Sequence, residues 1–463
     1  MRTLKRNSDY FHYVLTIFWL IFGSILTYSY YSGNFSTNGF FLTDGLSVYF
    51  AGIITLIGTI VSLATPSYLT REEKLHNKTF NRFRFYLYYH LFLATMYFTV
   101  LVNNIGITWV AIELTTIVSA LLIAFHPNRY TLEAAWKYLI ICTVGIAFAL
   151  LGLFILYRAA SLVNPVSLTF RFSDLIFLKD NLNYDLLKLS FIFIFIGYGT
   201  KIGLAPMHTW LPDAHSQAPS PISALLSGLL LNSAMYALMR IYALSHPVLG
   251  GVSENLFIIF GLISMAVAIP FIVIQKDLKR LLAYSSIEHM GIISFALGVF
   301  NPLALLGALL HTLLHSLAKS LAFLAAGDIV LGFKTRNLLR IHGLTKSYPL
   351  FGYSFVFLIL ALAGLPPFGL FSSEFNIGLG ASKASKIYPL TLFILFISLI
   401  FLGLIYHLGQ LGWGKSKKRG SLPNIPYLYL AGIFLLLIVG VYLPAPLVKA
   451  INLAVAVVKG GLE

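Results

Sequence analysis

The feature that most constrains this chain is a near-continuous succession of apolar segments, each about the 20 residues that a helix needs to cross a bilayer. Hydrophobic residues make up 58% of the sequence and charged residues only 10%. Soluble domains average roughly half apolar and a quarter charged. The sequence therefore excludes a water-soluble fold and predicts a single all-α, polytopic membrane domain over residues 1–463.

Hydropathy predicts about thirteen transmembrane helices. Their approximate bounds are 12–30, 46–65, 85–102, 105–125, 136–157, 186–205, 222–244, 256–274, 281–300, 303–331, 351–379, 390–408 and 427–443. This count places most loop lysines and arginines on one side, including the clusters at 276–280, 334–346 and 415–419 and single residues such as Lys78. Because cytoplasmic loops are enriched in these residues, the N-terminus is predicted to be cytoplasmic and the C-terminus outside the cell membrane. The same bias explains the net charge of +16 without nucleic acid as a partner.

Two of the predicted helices, the sixth and the eleventh, are interrupted by glycine and proline. The residues at these interruptions are Gly203, Pro206, Pro366 and Pro367. Interrupted helices at corresponding positions of two halves mark transport sites in membrane proteins. We therefore predict two inverted five-helix repeats, over 85–244 and 256–408, each with a discontinuous helix, followed by a C-terminal helix and tail over 409–463. Two unrelated kinks are the alternative interpretation.

Lys201 and Glu113 are ionisable residues within apolar segments. A lysine that faces lipid costs at least about 2.5 kcal/mol, so Lys201 is expected to face a partner or water, unless it extends to the nearby cytoplasmic surface. Glu113 is too short to reach a surface and needs an interhelical partner or a proton. Lys201 is the natural candidate, either as a proton-exchanging pair or as a purely structural ion pair.

His311, His315 and Lys319 are spaced four residues apart, which places them on one face of the tenth predicted helix. A polar stripe inside an apolar helix indicates a proton relay. Hydrogen bonding within the core is an alternative, and metal binding by the two histidines is a third. The sequence near these residues contains no glutamate in an HExxH arrangement, so no metal site is predicted.

Glu288 and His289 lie near the start of the ninth predicted helix, just after a basic cluster. This position favours the cytoplasmic mouth of a proton path. Glu374 follows the second helix interruption and is a candidate exit group, although a glutamate capping an exposed helix end fits the same position.

Several other residues limit the function. Cys142 is the single cysteine, which excludes a disulfide framework or a cysteine-ligated iron–sulfur cluster within this chain. No glycine-rich nucleotide motif is present, so no cofactor is predicted and any redox chemistry must belong to partners. Asn232 is polar but cannot carry a proton charge. Arg240, nearer the outer end of its helix, is expected to extend to the membrane surface.

Three segments carry a family resemblance. They are TKIGLAPMHTWLPDAHSQAPSPISALLSG, DLKRLLAYSSIEHMG and HTLLHSLAKSLAFLAAG. In order and spacing they resemble the antiporter-like family shared by complex I proton-pumping subunits, Mrp sodium/proton antiporters and membrane-bound hydrogenases. The segments NNIGITWVAIELTT, LEAAWKYLIICTVGIA, LLLNSAMYALMR and LAGLPPFGLFSSEF are most similar to the hydrogenase-4 component F branch of that family.

The resemblance implies roles for the residues named above. Glu113 and Lys201 match the family's input pair, Lys319 with the two histidines of its helix matches the central relay, and Glu374 matches the exit group. Asn232 departs from the lysine that many relatives have there. The implied function is a proton-translocating subunit, without a catalytic centre of its own, that works with other membrane subunits and soluble redox subunits of an energy-converting oxidoreductase complex. The alternatives are an Mrp-type cation/proton antiporter subunit, with sodium as the coupled ion, and a non-conducting membrane scaffold.

Overall fold

A computed structural model describes residues 2–33, 39–77, 79–163, 170–414 and 426–461. Within these residues the chain forms nineteen α-helices. In chain order the helices are α1 (Arg2–Tyr31), α2 (Gly45–His76), α3 (Arg82–Leu101), α4 (Ile105–Ile123), α5 (Arg129–Val163), α6 (Phe172–Leu178), α7 (Tyr184–Ile202), α8 (Trp210–Gln217), α9 (Ser220–Leu225), α10 (Leu231–Leu249), α11 (Gly251–Ile274), α12 (Leu278–Val299), α13 (Pro302–Phe333), α14 (Leu344–Ser347), α15 (Pro349–Leu362), α16 (Gly369–Lys383), α17 (Ile387–Gly412), α18 (Pro426–Val441) and α19 (Ala445–Val458). Lys78 and the basic cluster at 415–419 lie outside the described residues.

The fold is all-helical and polytopic. Among the described residues, nine helical segments are long and apolar enough to cross a membrane, or ten if the bent pair α18 and α19 is one span. The remaining predicted spans correspond to helices that are shorter or more polar: α15 and α16 contain only 14 and 15 residues, and α3 and α7 carry charged residues and tyrosines within about one span length.

The helices differ sharply in how much of their surface the rest of the chain covers. The apolar window of the segment 220–249 is 100% buried, and those of α12 and α13 are 94% and 89% buried. The corresponding windows of α1 and α17 are only 22% buried. The segment 220–249, α12 and α13 therefore form the protein core, whereas α1 and α17 present apolar faces outward.

Asparagine and aspartate side chains fix the starts of several helices. The capping residues of α2, α4, α7, α12 and α13 are Asp44, Asn104, Asn183, Asp277 and Asn301. Each side chain accepts a hydrogen bond from a backbone N–H group of the first helical turn, which has no partner within the helix itself. Backbone groups without partners are costly in lipid, so these caps define where each helix begins.

The chain leaves the helical conformation in both regions where an interruption is predicted, between α7 and α8 and between α15 and α16. α7 ends at Ile202, and Gly203 follows in the left-handed conformation with φ of +83°, which a side chain would disfavour. The indole N–H of Trp210 then donates to the carbonyl of Thr200 at 2.8 Å, which ties the start of α8 back to the end of α7. The second interruption lies between α15 and α16, with Gly364 at φ of +69°.

A wider turn joins α9 to α10. Residues Leu226–Leu230 form a π-helical turn, and the N–H of Leu231 donates to the carbonyl of Leu226. Single π turns inside helices are rare and occur mostly near functional sites. Here the turn lies in the most buried segment of the protein.

The C-terminal region differs from its prediction as one helix and a tail. The chain bends by 75° after α18 and forms the further helix α19. α19 packs against α2, α10 and α13, and the Lys179 side chain donates to the carbonyl of Gly460 at 2.7 Å. The sequence did not separate this helix because its apolar segment is too short to read as a span.

Candidate functional site

The first polar cluster, which we call the lysine cluster, surrounds Lys201 in the last turn of α7. Lys201 is completely buried, so the alternative that it extends to the surface is wrong. Its Nζ atom donates to Tyr138 Oη at 2.6 Å and to Thr116 Oγ1 at 2.7 Å. Tyr138 Oη is also 2.7 Å from Ser119 Oγ. The buried nitrogen is thus held by hydroxyl groups from α4 and α5.

Glu113 is not in direct contact with Lys201, contrary to the predicted pair. The carboxylate is partly exposed at the surface of the chain, where it accepts a hydrogen bond from Thr143 Oγ1 at 2.9 Å. Thr116 lies one helical turn further along and faces inward, with Oγ1 3.5 Å from Glu113 Oε2 and 2.7 Å from Lys201 Nζ. The threonine hydroxyl therefore lies between the two predicted residues, because residues three apart on a helix are neighbours on its surface.

The second polar cluster, which we call the histidine file, is built from α12, α13 and α16. His289 Nδ1 shares a hydrogen bond with His311 Nε2 at 2.9 Å, and His311 Nδ1 shares one with Ser373 Oγ at 2.9 Å. The ring centroids of His289 and His315 are 5.0 Å apart. All three histidines are completely buried. His289 of α12 thus lies between the two histidines that the sequence placed together on α13.

Lys319 is also completely buried on the predicted face of α13. Its Nζ atom donates to the backbone carbonyl of Leu282 at 2.9 Å. The neighbouring α12 carries Glu288, which is buried and accepts a hydrogen bond from Ser285 at 3.2 Å. The lysine is thus anchored to the start of α12, and the electrostatic interaction between Lys319 and Glu288 is attractive.

Glu374 lies at the outer edge of the histidine file. It is the sixth residue of α16, whose first turn contains no acidic residue, so the helix-capping alternative is wrong. The carboxylate lines a cavity of about 590 Å³ between α16 and α17. One oxygen of Glu374 and one ring nitrogen each of His289 and His311 all lie within 4.8 Å of one another.

Residues 102–402, which contain both clusters, match the family described as NADH:quinone oxidoreductase/Mrp antiporter, transmembrane. The chain belongs to this family. It is 41% identical to the hydrogenase-4 component F homolog of Methylacidiphilum infernorum over 89% of this chain and 87% of that protein.

Solved structures that share the fold include chains of two membrane complexes. A chain of an archaeal membrane-bound sulfane sulfur reductase has a TM-score of 0.85 with 23% identity, covering 99% of this chain and 96% of the other. A chain of the Mrp complex from a Dietzia species has a TM-score of 0.86 with 17% identity, covering 99% and 93%. At these identities the likeness shows the antiporter-family fold.

His215 is a further candidate residue that was not predicted from the sequence. It lies on α8, directly after the first interruption, and is completely buried. Its ring stacks on Phe323 of α13 at 5.2 Å between centroids, and neither ring nitrogen has a hydrogen-bond partner among the described residues. A histidine in a break near Lys201 was the available signal. His215 lies between the halves of the chain that hold the lysine cluster and the histidine file.

Asn232 contributes a second polar group between the two clusters. Its Nδ2 atom donates to Ser316 Oγ of α13 at 2.6 Å and to the carbonyl of Gly228 in the π turn at 2.9 Å. The Oδ1 atom has no hydrogen-bond partner among the described residues. The side chain is therefore fixed in orientation and leaves one acceptor for a further group or a water molecule.

Arg240 and Lys279 are both placed differently from their predictions. Arg240 does not extend to the surface: its guanidinium is buried, forms an ion pair with Asp44 and donates to Tyr236 Oη at 2.9 Å. Lys279, counted among the loop cations, is 4% exposed and donates to the carbonyl of Ala218 at 2.5 Å. Asp44 lies directly before α2, far from Arg240 in sequence. Hydropathy therefore did not predict this ion pair, nor the contact between Lys279 and Ala218.

Proposed function

We propose that this protein is a proton-translocating, antiporter-like membrane subunit of an energy-converting oxidoreductase complex of the hydrogenase-4 or complex I kind. The observation that carries the proposal is the pairing of a completely buried lysine with a hydrogen-bonded histidine file in one membrane domain. Ionisable residues are expensive in a membrane interior and mark ion pathways there. The family match and the similarity to a hydrogenase-4 component support the assignment.

We infer a path with two ordered ends and a central gap. At one end, Thr116 joins Glu113 to Lys201; at the other, the histidine file leads to Ser373 and Glu374. His215 and Asn232 lie between these ends, and within the described part of the chain they have unpartnered polar atoms. Buried polar groups without protein partners are commonly satisfied by water, so water molecules at these two residues would complete the path.

The proposed coupling is electrostatic. A redox event in a partner subunit would change the charge near Glu113, which is partly exposed at the chain surface. Through the hydroxyl of Thr116 that change would alter how tightly Lys201 holds its proton. Two unit charges about 6 Å apart interact by about 3 kcal/mol at an effective dielectric near 20, so a change of charge at Glu113 is large enough to shift the proton equilibrium of Lys201. The proton would then pass by way of Lys319 and the histidine file toward Glu374.

The proposal includes thirteen spans in the cell membrane, with a cytoplasmic N-terminus and an outer C-terminus. Residues 85–244 and 256–408 form the proposed inverted repeats. In the first, α3 packs on α4, α4 on α5 and α5 on α7; in the second, α11 packs on α12, α12 on α13 and α13 on α15 and α16. This shared order of neighbours, with a broken helix fourth in each group, supports the repeat.

The proposed partners are other membrane subunits and soluble redox subunits. Glu113 supports a membrane partner, because a carboxylate left partly exposed at this depth would otherwise face lipid. An Mrp-type cation/proton antiporter subunit is the second candidate, supported by the fold shared with the Mrp complex. A non-conducting scaffold is the third, and it would leave both polar clusters without a role.

The decisive test measures proton transport into vesicles that contain the whole complex, with partner redox turnover followed in parallel. The variant is Lys201→Met, and the matched control is Lys188→Met nearer the start of the same helix. We expect Lys201→Met to abolish transport and the control to retain it. Unchanged transport and turnover in Lys201→Met would refute the proposal and favour a scaffold, and dependence of transport on sodium would favour the Mrp-type function.

A further inference from the structure

Three metal-binding side chains from three helices meet at the outer end of the histidine file. They are His289 of α12, His311 of α13 and Glu374 of α16, and one potential ligand atom from each lies within 4.8 Å of the other two. Both histidines are completely buried, and the glutamate is 9% exposed. The predicted metal alternative concerned His311 and His315, which lie on one helix, whereas this group is brought together only by folding.

Two imidazole nitrogens and one carboxylate oxygen are a typical protein ligand set for Zn²⁺, with a water molecule in the fourth position. Two nitrogens bound to one tetrahedral zinc ion at about 2.0–2.1 Å lie about 3.3 Å apart. His289 Nδ1 and His311 Nε2 are already 2.9 Å apart. An ion could therefore take the place of their shared proton once the two nitrogens move apart by a few tenths of an ångström and both rings turn toward it, with Glu374 moving inward as the third ligand. The displaced proton would go to His289 Nε2, which has no hydrogen-bond partner among the described residues.

A cavity adjoins the three side chains. Glu374 lines the cavity of about 590 Å³ that runs between α16 and α17, from Gly364 at the helix interruption to Ser382 near the end of α16. Gly364 has φ of +69°, and a Cβ atom there would collide with the Glu374 carboxylate. The glycine thus leaves the space into which Glu374 extends, and the cavity has room for an ion with its water.

Both acidic and basic groups lie near the site. Glu288 directly precedes His289 and lies close enough to Glu374 for an electrostatic interaction between the two carboxylates. Lys319 is the opposing positive group. The nitrogen ligands select a transition metal over Na⁺ or Mg²⁺, which prefer oxygen ligands.

We propose that His289, His311 and Glu374 form a binding site for a divalent transition-metal ion such as Zn²⁺, and that the bound ion blocks proton movement through the histidine file. The binding rests on the geometry of the three side chains alone. The block rests, in addition, on the proposed proton path, since an ion bound to both His289 and His311 removes the hydrogen bond that joins them.

The binding test uses the intact complex in lipid nanodiscs and Co²⁺ as the probe, because the visible absorption of Co²⁺ reports its ligands; retained zinc is measured separately by elemental analysis. The variants are His289→Gln, His311→Gln and Glu374→Gln, with His407→Gln as the control, because His407 is a buried histidine of α17 that contacts the carbonyl of Ile272 and belongs to neither polar cluster. We expect one site-specific ion per chain in the parent and the control. Each ligand variant should weaken binding at least about tenfold, since even supporting groups around a metal have effects of that size.

Glu374→Asp guards against a variant that fails to assemble, because it keeps a carboxylate and should retain part of the binding. No bound ion in the parent, or equal binding in parent and His311→Gln, would overturn the site. Zinc inhibition of vesicle transport is measured on the same samples. Specific binding without inhibition would leave the metal site in place and refute the block and the proton path through the histidine file.

Discussion

The lysine cluster and the histidine file solve the problem of polar groups in a membrane in different ways. Lys201 is surrounded by hydroxyl groups of Thr116 and Tyr138, which orient the nitrogen but stay uncharged themselves. In the histidine file each ring offers two nitrogens, so one side can accept a proton while the other releases one. The first arrangement suits a group that holds charge and responds to its surroundings. The second suits the passage of protons between neighbours.

The largest loss of proton transport is expected when the histidine file is interrupted, which tests its proposed role in passing protons. His311→Leu removes the ring that joins His289 to Ser373. We expect proton transport by the whole complex in vesicles to fall by on the order of 100-fold, the lower range of what a positioned proton-transfer group contributes. His342→Leu is the control, since that ring lies exposed near Leu339 and Gln410. Transport above half of the parent rate in His311→Leu would show that protons bypass the file.

A smaller effect is expected from cutting the link within the lysine cluster. Thr116→Val keeps the shape of the side chain but removes the hydroxyl that contacts both Glu113 and Lys201. A hydrogen bond to a charged group contributes about 1.5–3 kcal/mol, so we expect about a tenfold loss of transport with the complex still assembled. The neighbouring Thr115→Val is the control, because its hydroxyl donates to the helix carbonyl of Ile112 at 2.6 Å. Equal losses in both variants would mean that Thr116 acts only through helix packing.

The smallest effect concerns the region between the clusters. Ser316→Ala removes the side-chain acceptor of Asn232 Nδ2, which leaves that donor with only the carbonyl of Gly228. We expect a modest drop in the thermal unfolding midpoint, corresponding to about 1 kcal/mol, and less than a twofold change in transport. Ser320→Ala on the same helix is the comparison variant, since its hydroxyl donates to the carbonyl of Ala224 at 3.2 Å. A transport loss as large as that of Thr116→Val would show that transport depends on the orientation that Ser316 gives to Asn232.

Much of the helical framework was predictable because membrane helices can be recognised in a sequence from the length of their apolar segments and from glycine and proline at their breaks. α7 ends directly before Gly203, and Pro366 and Pro367 lie in the non-helical segment between α15 and α16. The buried position of Lys201 also followed from the cost of a charge in lipid.

The contacts inside the site were less predictable, because they depend on how each helix is rotated against its neighbours. The sequence pattern grouped His311 with His315, yet the hydrogen-bonded partner of His311 is His289 of another helix. The partner of Arg240 is Asp44, 196 positions away in the chain, and no local pattern connects them. The sequence predicted Lys201 as the direct partner of Glu113 and missed Thr116, whose hydroxyl lies between them.

The π turn at Leu226–Leu230 sets the rotation of α10 about its own axis. One residue more than an α-helical turn advances the helix by about 100°. Shortening the turn by one residue would therefore rotate the faces of α10 about its axis. It would carry Asn232, at the start of the helix, away from Ser316 and Arg240, at the middle of the helix, away from Asp44. The one extra residue of the π turn thus sets the orientation of Arg240 toward Asp44 and of Asn232 toward Ser316 at the same time.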